Sequence, residues 1–258
     1  MSDPTSIKTL SDSEKILARA LGYRLISCLF RHPTEHREWL SDISQLNWLE
    51  MADCWDFEPV FTLKEKIVKL FQEIERIDLP QWMHQYENIF GHTACSKVPL
   101  YELEYGEEHS HRQPQELADI TGFYEAFGLR GNAGIHERPD HISVEAEFIY
   151  SLLYKMALAL REKDSEHAQI CQKAYERFIQ EHLGAWLPAL TYRISKYSDS
   201  VLLRLIADFA YSFLEQECGK HNLVIGTESL SIRPIEEKTD TGCVSCEFGP
   251  KINTESES

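Results

Sequence analysis

The residue types best suited to chemistry stand together at positions 138–147, in the sequence RPDHISVEAE. Pro139 disfavours helix at the residue before it, and Asp140 is a good acceptor for the free amides at a helix start. His141 and Glu145 stand four residues apart, so on a helix they share one face and can pair, whereas Glu147 falls off that face. The segment therefore predicts a helix with Asp140 as its N-cap and with a histidine and a carboxylate on one side.

Such a group is compatible with three kinds of site. In a catalytic site, His141 would act as a general base oriented by Asp140 or Glu145. In a metal site, His141 and Glu145 would bind the ion together with His109 and His111, although no fixed spacing links these ligands. In a recognition site, the motif would form a surface at the start of a helix. The chain has no Ser or Cys in a recognisable nucleophile turn, which weakens the catalytic interpretation.

The seven cysteines are mostly scattered, which is typical of reduced thiols in a cytoplasmic protein. Cys28, Cys171 and Cys218 fall in apolar helical patterns and are predicted to be buried. Cys243 and Cys246 have the spacing of a metal or redox pair, but a structural zinc site normally needs a second pair of ligands. They are therefore weak metal candidates, with an incidental role or one completed by a partner protein as alternatives.

Helices must position these residues, because apolar side chains recur at helical spacing through most of the chain. Strand signals are weak, since no pair of alternating β-branched runs is joined by an Asn-Gly or Asp-Gly turn. We predict an all-α, single-domain helical bundle over residues 11–222, an N-terminal tail (1–10) and a flexible acidic C-terminal tail (223–258). The first predicted helix starts at Ser11 or Ser13 and ends before residues 31–33. The other predicted helices cover 61–77, 81–90, 114–127, 141–161, 165–183, 186–197 and 199–218.

The connection over residues 91–113 is long for a helical domain. Connections of this length are usually functional or disordered. Tyr101 and Tyr105 lie within it, and two aromatic side chains predict that part of the connection packs.

The charge of the chain limits its partners. A net charge of −16 disfavours nucleic acid and anionic membranes and favours a basic partner. Residues 84–148 hold twelve acidic side chains against four basic ones, so the negative charge is concentrated around the motif. The N-terminus lacks the basic and apolar regions of an export signal, and no apolar run approaches the roughly 20 residues of a membrane span. These features predict a cytoplasmic protein.

Two stretches resemble the signature motifs of the redox-enzyme maturation chaperones, the TorD, DmsD and NarJ group. ERPDHISVEAEF at 137–148 is similar to their signature Pro-Asp-His-(Ile/Leu)-x-x-Glu, and QYENIFG at 85–91 to their signature Glu-Tyr-x-x-Leu-Phe. The chain departs from the family at three positions. Gln85 stands where the family usually has Glu, Gln81 replaces a second common Glu, and Pro139 directly precedes Asp140 where other branches insert a residue. PLYELEYG at 99–106, together with ERPDH at 137–141, resembles the accessory subunits that accompany molybdenum enzymes of the nitrate reductase and anaerobic dehydrogenase type.

The resemblance implies an all-helical, non-catalytic cytoplasmic chaperone that needs no cofactor. Such proteins bind the catalytic subunit of a molybdopterin oxidoreductase, often through its twin-arginine leader, and hold it until the molybdenum cofactor is inserted, which prevents premature export. A homodimer is compatible with this role, and a metal-dependent enzyme or a general helical adaptor are the alternative hypotheses. The resemblance places client binding at Tyr86, Tyr101, Glu102, Glu104, Tyr105, Arg138, Pro139, Asp140, His141 and Glu145.

Overall fold

The computed structural model describes residues 10–33, 47–55, 57, 60–91, 97–106, 113–129 and 137–233. Within these ranges the chain forms nine α-helices and a 3₁₀ turn, Glu102–Glu104, and its extended contacts are isolated bridges rather than strands. The prediction of an all-α fold is confirmed. The helices are α1 (Asp12–Leu29), α2 (Trp48–Asp53), α3 (Val60–Ile74), α4 (Leu79–Phe90), α5 (Gln113–Ala126), α6 (Ile142–Arg161), α7 (Ser165–Glu181), α8 (Leu183–Tyr197) and α9 (Val201–His221).

Several helices begin at a side chain that accepts a hydrogen bond from a free amide of the first turn. Ser11, one of the two predicted N-caps, caps α1 and forms a capping box with Glu14. Asp78, Asp164 and Ser200 cap α4, α7 and α9 in the same way. The sequence does not predict α2, because a helix of 6 residues is too short to show an apolar period.

One difference from the predicted helix bounds lies between α7 and α8. The sequence predicts a break after residue 183, whereas α7 ends at Glu181 and α8 already begins at Leu183. His182, between them, has φ −124° and ψ −102°, which is outside the helical region. The turn between the two helices is therefore made by a single histidine.

The helices form a closed arrangement around one core. α1 lies along α6, α6 on α7, α7 on α8 and α8 on α9, and α1 also contacts α9. Phe213 of α9 packs against Tyr23 and Trp55, with ring centroids 5.1 and 5.0 Å away. None of the helices in the described ranges combines the length and the apolar content needed to cross a bilayer.

A buried ion pair joins α1 to α9. Nε of Arg19 donates to Oε1 of Glu217 at 2.6 Å and Nη2 donates to Oε2 at 2.7 Å, and the hydroxyl of Tyr175 donates to the same carboxylate. Burial alone would raise the pKa of Glu217, but the charge of Arg19 and its hydrogen bonds hold that pKa below its ordinary value. Removing either partner would leave an uncompensated buried charge. The cysteines predicted to be buried, Cys28, Cys171 and Cys218, are buried and form no disulfide bond within the described residues.

The start of the predicted C-terminal tail packs against the helices. Asn222 ends α9 in the left-handed conformation, with φ 54°. The amide of Gly226 then donates to the carbonyl of Gly184 at 2.9 Å, and a Cβ at Gly226 would lie 2.0 Å from the carbonyl oxygen of Ala185. Only glycine allows the chain to pass this close to α8.

We call residues 223–233 the strap, because they run from α9 to the 3₁₀ turn. The amide of Gly106 donates to the carbonyl of Ser231 at 2.8 Å, and the amide of Arg233 donates to the carbonyl of Glu104 at 2.9 Å. This part of the predicted flexible tail is therefore packed against the helices and the 3₁₀ turn. The rest of that tail lies outside the described residues.

Candidate functional site

The Asp-His motif and the connection at 97–106 lie side by side. The amide of Glu102 donates to the carbonyl of Asp140 at 2.9 Å, and the amide of Ile142 donates to the carbonyl of Leu100 at 3.0 Å. These two bonds flank an antiparallel bridge between residues 101 and 141. The long connection is therefore attached, by backbone hydrogen bonds, to the segment that starts α6.

Asp140 is fully buried and supports the 3₁₀ turn rather than α6. One carboxylate oxygen accepts from the amide of Leu103 at 3.3 Å, and Arg138 donates to both oxygens, at 3.0 and 2.6 Å. The prediction that Asp140 is the N-cap of α6 is wrong, because its carboxylate is held by these partners. Asp140 instead fixes the turn that carries Glu102.

His141 is the N-cap of α6. Its Nδ1 accepts from the amide of Ser143 at 3.2 Å and lies 2.7 Å from the Ser143 hydroxyl. Burial lowers the pKa of His141 to about 3, and the charges of Arg31 and Arg138 act in the same direction. The low pKa makes His141 a poor general base. Because Nδ1 accepts from Ser143, the neutral ring carries its proton on Nε2, so neither nitrogen offers a free lone pair to a metal ion.

Glu145 does not pair with His141, although both lie at the start of α6. Its Oε2 accepts from the indole Nε1 of Trp186 at 3.1 Å. Burial is the main cause that raises the pKa of Glu145 well above its ordinary value, and the negative charge of Glu102 and a hydrogen bond to it act in the same direction. Oε1 of Glu145 has no donor among the described residues. A proton on Glu145 would account for both its raised pKa and the absence of a donor to Oε1, because a neutral carboxyl group can itself donate to the Glu102 carboxylate.

The Glu102 carboxylate also contacts the histidine that separates α7 from α8. Its two oxygens lie 3.1 and 3.2 Å from Nδ1 of His182. Glu102, His182 and Trp186 all line one cleft, and the low exposure of His182 and Trp186 places them at its bottom. The buried residues Asp140 and Glu145 are therefore linked, through Glu102 and Trp186, to a surface that a ligand can reach.

This cleft has a volume of about 880 Å³ and opens between α5 and α7. Its walls are more apolar than polar. Phe123 comes from α5, Phe127 from the turn that follows it, Ile170 from α7, and Leu230 from the strap. The charged side chains that line it are of both signs: Glu102, Glu116, Asp119 and Glu181 against Lys173, Arg177 and Arg233. An apolar segment that also carries a few charges matches this lining.

The opposite side of the motif is exposed and polar. Arg138 is 46% exposed, and its guanidinium lies 4.4 Å over the ring of Tyr101. Nη1 of Arg138 is 3.5 Å from Oε1 of Glu104, and the hydroxyl of Tyr101 donates to Glu137 at 3.1 Å. Burial, and to a smaller extent the negative charge of Glu137, raises the pKa of Tyr101 to about 12, so its hydroxyl remains a neutral donor.

The structure divides the predicted client-binding residues into two groups. Arg138, Pro139, Tyr101, Glu102 and Glu104 keep some surface, whereas the other five are buried: Tyr86, Tyr105, Asp140, His141 and Glu145. The buried residues can shape the site but present little or no surface to a partner.

Tyr86 lies apart from the Asp-His motif, at the contact between α4 and the end of α1. Its hydroxyl donates to the carbonyl of Phe30 at 2.9 Å, and its ring packs against Trp82 and Phe90. Tyr105 has a comparable structural role, because its hydroxyl donates to the carbonyl of Pro99 at 2.8 Å. Both tyrosines hold connecting segments in place.

Sequence reasoning missed His182, Trp186 and the cleft itself. The available signal is weak: His182 falls close to the predicted break between two helices, and Trp186 opens the predicted helix after it. The described residues contain no group of three His, Cys, Asp or Glu side chains that could hold a metal ion. The other candidate ligands, His109, His111, Cys243 and Cys246, lie outside the described residues.

Comparison with known protein families supports the resemblance. A family model described as the nitrate reductase delta subunit matches residues 58–192. That range includes both signature motifs, the connection at 97–106 and helices α5 and α7 on either side of the cleft. The strap lies beyond it.

Three curated proteins are similar to the chain. The perchlorate reductase assembly chaperone protein of Dechloromonas aromatica (strain RCB) is 30% identical over 145 residues, which are 54% of this chain and 63% of that protein. The chlorate reductase assembly chaperone protein of Ideonella dechloratans is 37% identical over 78 residues, 30% of this chain and 39% of that protein. The chaperone protein TorD of Vibrio cholerae is 29% identical over 112 residues, 42% of this chain and 46% of that protein. The chain thus spans less than two thirds of each relative's length.

Proposed function

The chain belongs to the nitrate reductase delta subunit family, and from this premise we propose that it is an assembly chaperone for the catalytic subunit of a molybdopterin-dependent oxidoreductase. Its relatives are named as chaperones, two of them for the assembly of a reductase, and not as enzymes. Their names support the predicted absence of catalysis. In this proposal the protein works in the cytoplasm, assists folding and cofactor insertion, and delays export until the client is complete.

The observation that carries the proposal is the apolar cleft between α5 and α7. Ile170 is 48% exposed on one wall, and Phe123 and Phe127 are partly exposed on the other. Grooves between helices commonly take the apolar face of another helix. We propose that an apolar segment of the client, including its twin-arginine leader, binds here.

Magnitudes favour apolar contacts as the main source of affinity. Micromolar binding corresponds to about 8 kcal/mol net of association costs. A partly exposed arginine–carboxylate pair contributes only about 0.2–1 kcal/mol. Two leader arginines therefore cannot supply the affinity, and apolar burial at about 25 cal/mol per Å² must provide most of it. The acidic side chains would orient the client and accelerate its approach.

The Asp-His motif would act by building the cleft. Asp140 fixes the 3₁₀ turn that carries Glu102, and Glu145 links that turn to Trp186. Both Glu102 and Trp186 line the cleft. The motif would then be needed for client binding without touching the client, which differs from the direct contact predicted from sequence.

Affinity capture from native lysate of cells that express the chain tests this proposal. Wild-type protein and an Ile170→Glu variant would be compared, with captured proteins identified and quantified by mass spectrometry. Ile170→Glu places a charge on an apolar wall, and its exposed position on α7 leaves the fold intact. We expect the wild type to capture the catalytic subunit of a molybdopterin oxidoreductase, and the variant to capture at least tenfold less.

Val201→Glu is the matched control, because Val201 is 50% exposed on α9 and does not line the cleft. It should capture the client like the wild type. Equal capture by the Ile170→Glu variant, or no enrichment of such a subunit, would contradict the proposal. Repeating the capture with a client that lacks its leader separates leader binding from binding of the mature protein. A second copy of the chain is the alternative occupant, and a dimer mass that Ile170→Glu reduces to a monomer would reveal it.

A further inference from the structure

The chain supplies an arginine of its own to the cleft. Arg233, the last residue of the strap, lines the cleft together with Leu230. Its side chain is 11% exposed. A cleft proposed to receive an arginine-bearing apolar segment is thus partly filled by an internal segment of the same kind, with a leucine three residues before an arginine.

One hydrogen bond and one ion pair hold the guanidinium of Arg233. Nε donates to the carbonyl of Tyr105 at 2.8 Å, and Nη2 lies 2.8 Å from Oε2 of Glu116 on α5. Gly106 makes room for this arrangement, because a Cβ there would lie 3.2 Å from Nε of Arg233. Gly106 also has φ 122°, a conformation that favours glycine. The backbone and Glu116 together form a small guanidinium-binding subsite.

Arg233 satisfies this subsite incompletely. Among the described residues, Nη1 of Arg233 and Oε2 of Glu116 are buried without a hydrogen-bond partner. The close ion pair between Nη2 and Oε2 is therefore not aligned as a hydrogen bond. Buried polar atoms left unpaired oppose the contact. The end of the strap is attached by a short backbone ladder, through the carbonyl of Ser231 and the amide of Arg233. A better-fitting guanidinium could therefore displace it.

We propose that the Tyr105 carbonyl and the Glu116 carboxylate form a subsite for an arginine of the client, which Arg233 occupies while no client is bound. The inference rests on the proposed function, since it requires a client segment that carries arginine beside apolar residues. Competition with Arg233 makes the subsite selective. A segment without arginine gains nothing from the subsite, and one with arginine must replace an intramolecular pair.

A titration with a small probe tests the subsite without any client. Isotope-labelled full-length chains, wild type and Arg233→Gln, would be titrated with acetyl-Leu-Arg-amide and with its neutral citrulline analogue, following the amide resonance of Gly106. We expect Arg233→Gln to bind the arginine probe about tenfold more tightly than the citrulline probe. Wild type should bind the arginine probe about tenfold more weakly than the variant does, because Arg233 blocks the subsite.

Two further variants complete the titration. Adding Glu116→Gln to Arg233→Gln should abolish the preference for arginine over citrulline. Arg161→Gln, which removes one exposed positive charge at the end of α6, should behave like the wild type. Equal binding of the two probes by Arg233→Gln, or equal binding of the arginine probe by Arg233→Gln and wild type, would overturn the proposal. Because the probe is not a client, these outcomes are independent of whether the proposed chaperone function is correct.

Client capture tests the second half of the inference. Arg233→Gln should capture several times more client than Arg161→Gln, because it no longer competes with the client arginine. Lower capture by Arg233→Gln would mean that Arg233 helps to bind the client, and would overturn its role as an internal occupant. Unchanged helicity and thermal unfolding of each variant exclude loss of the fold as the cause.

Discussion

Replacing Glu145 by glutamine should make folding stability less dependent on pH. In the folded protein, Oε2 of Glu145 accepts from Nε1 of Trp186 at 3.1 Å. The raised pKa of Glu145 favours a proton on its carboxyl group, which can be donated to Glu102. Glutamine can reproduce both contacts, because its carbonyl accepts and its amide group donates. Glu145→Gln is therefore close to a permanently protonated Glu145.

The magnitude follows from the proton that Glu145 retains on folding. Burial, followed by the charge of Glu102, raises the pKa of Glu145 well above its ordinary value. The unfolded chain releases this proton above about pH 4.3, whereas the folded protein keeps it. The stability contributed by a raised pKa is complete below the unfolded pKa and is lost as pH rises through the folded pKa. A difference of one proton corresponds to about 1.4 kcal/mol of unfolding free energy per pH unit.

Urea unfolding followed by circular dichroism at pH 4, 5, 6 and 7 measures this slope. The free energy of unfolding of Glu145→Gln, relative to wild type, should rise by about 1.4 kcal/mol between pH 5 and pH 6. At pH 4 the difference should be small. Other titrating groups are common to both proteins, so their contributions cancel. Glu162→Gln, at the exposed end of the same helix, controls for the loss of one formal negative charge.

Parallel stability curves for Glu145→Gln and wild type would refute this reasoning. They would mean that Glu145 is ionised in the folded protein and shares no proton with Glu102. The same measurement would then require another donor for Oε1 of Glu145, which has none among the described residues.

Three other substitutions test separate parts of the structure. Glu217→Gln leaves Arg19 buried without its counter-ion and should cost about 3–5 kcal/mol in urea unfolding. Gly106→Ala forces a side chain into φ 122° and should lower stability by about 1–3 kcal/mol, measured by thermal unfolding. Asp140→Asn weakens the two hydrogen bonds from Arg138 and should cost about 1–3 kcal/mol, while far-UV circular dichroism remains that of a folded helical protein.

Local sequence signals predicted most of the helices. Apolar periodicity and capping residues act within a few positions, so the sequence could limit the N-cap of α1 to Ser11 or Ser13, and the structure has Ser11. The position of the motif at the start of α6 was predicted for the same reason. The identity of its cap was not, because Asp140 and His141 are adjacent and both side chains can accept a hydrogen bond.

Contacts between distant segments could not be predicted in this way. Asp140 caps a turn 37 positions away, and Arg233 reaches a carbonyl 128 positions away. Nothing in the local pattern around Arg233 distinguishes it from a residue of a flexible tail. The cleft could not be predicted for the same reason, since its walls come from helices that are separated in sequence and meet only in the folded protein.

The central claim is that the client binds in the cleft between α5 and α7. Hydrogen exchange of the purified chaperone–client complex, compared with the free chaperone, tests it most directly. We predict slower exchange in α5, in α7 and around His182, with the α5 and α7 protection reduced in the Ile170→Glu variant. Protection confined to helices that do not line the cleft, such as α3 and α4, would contradict the claim.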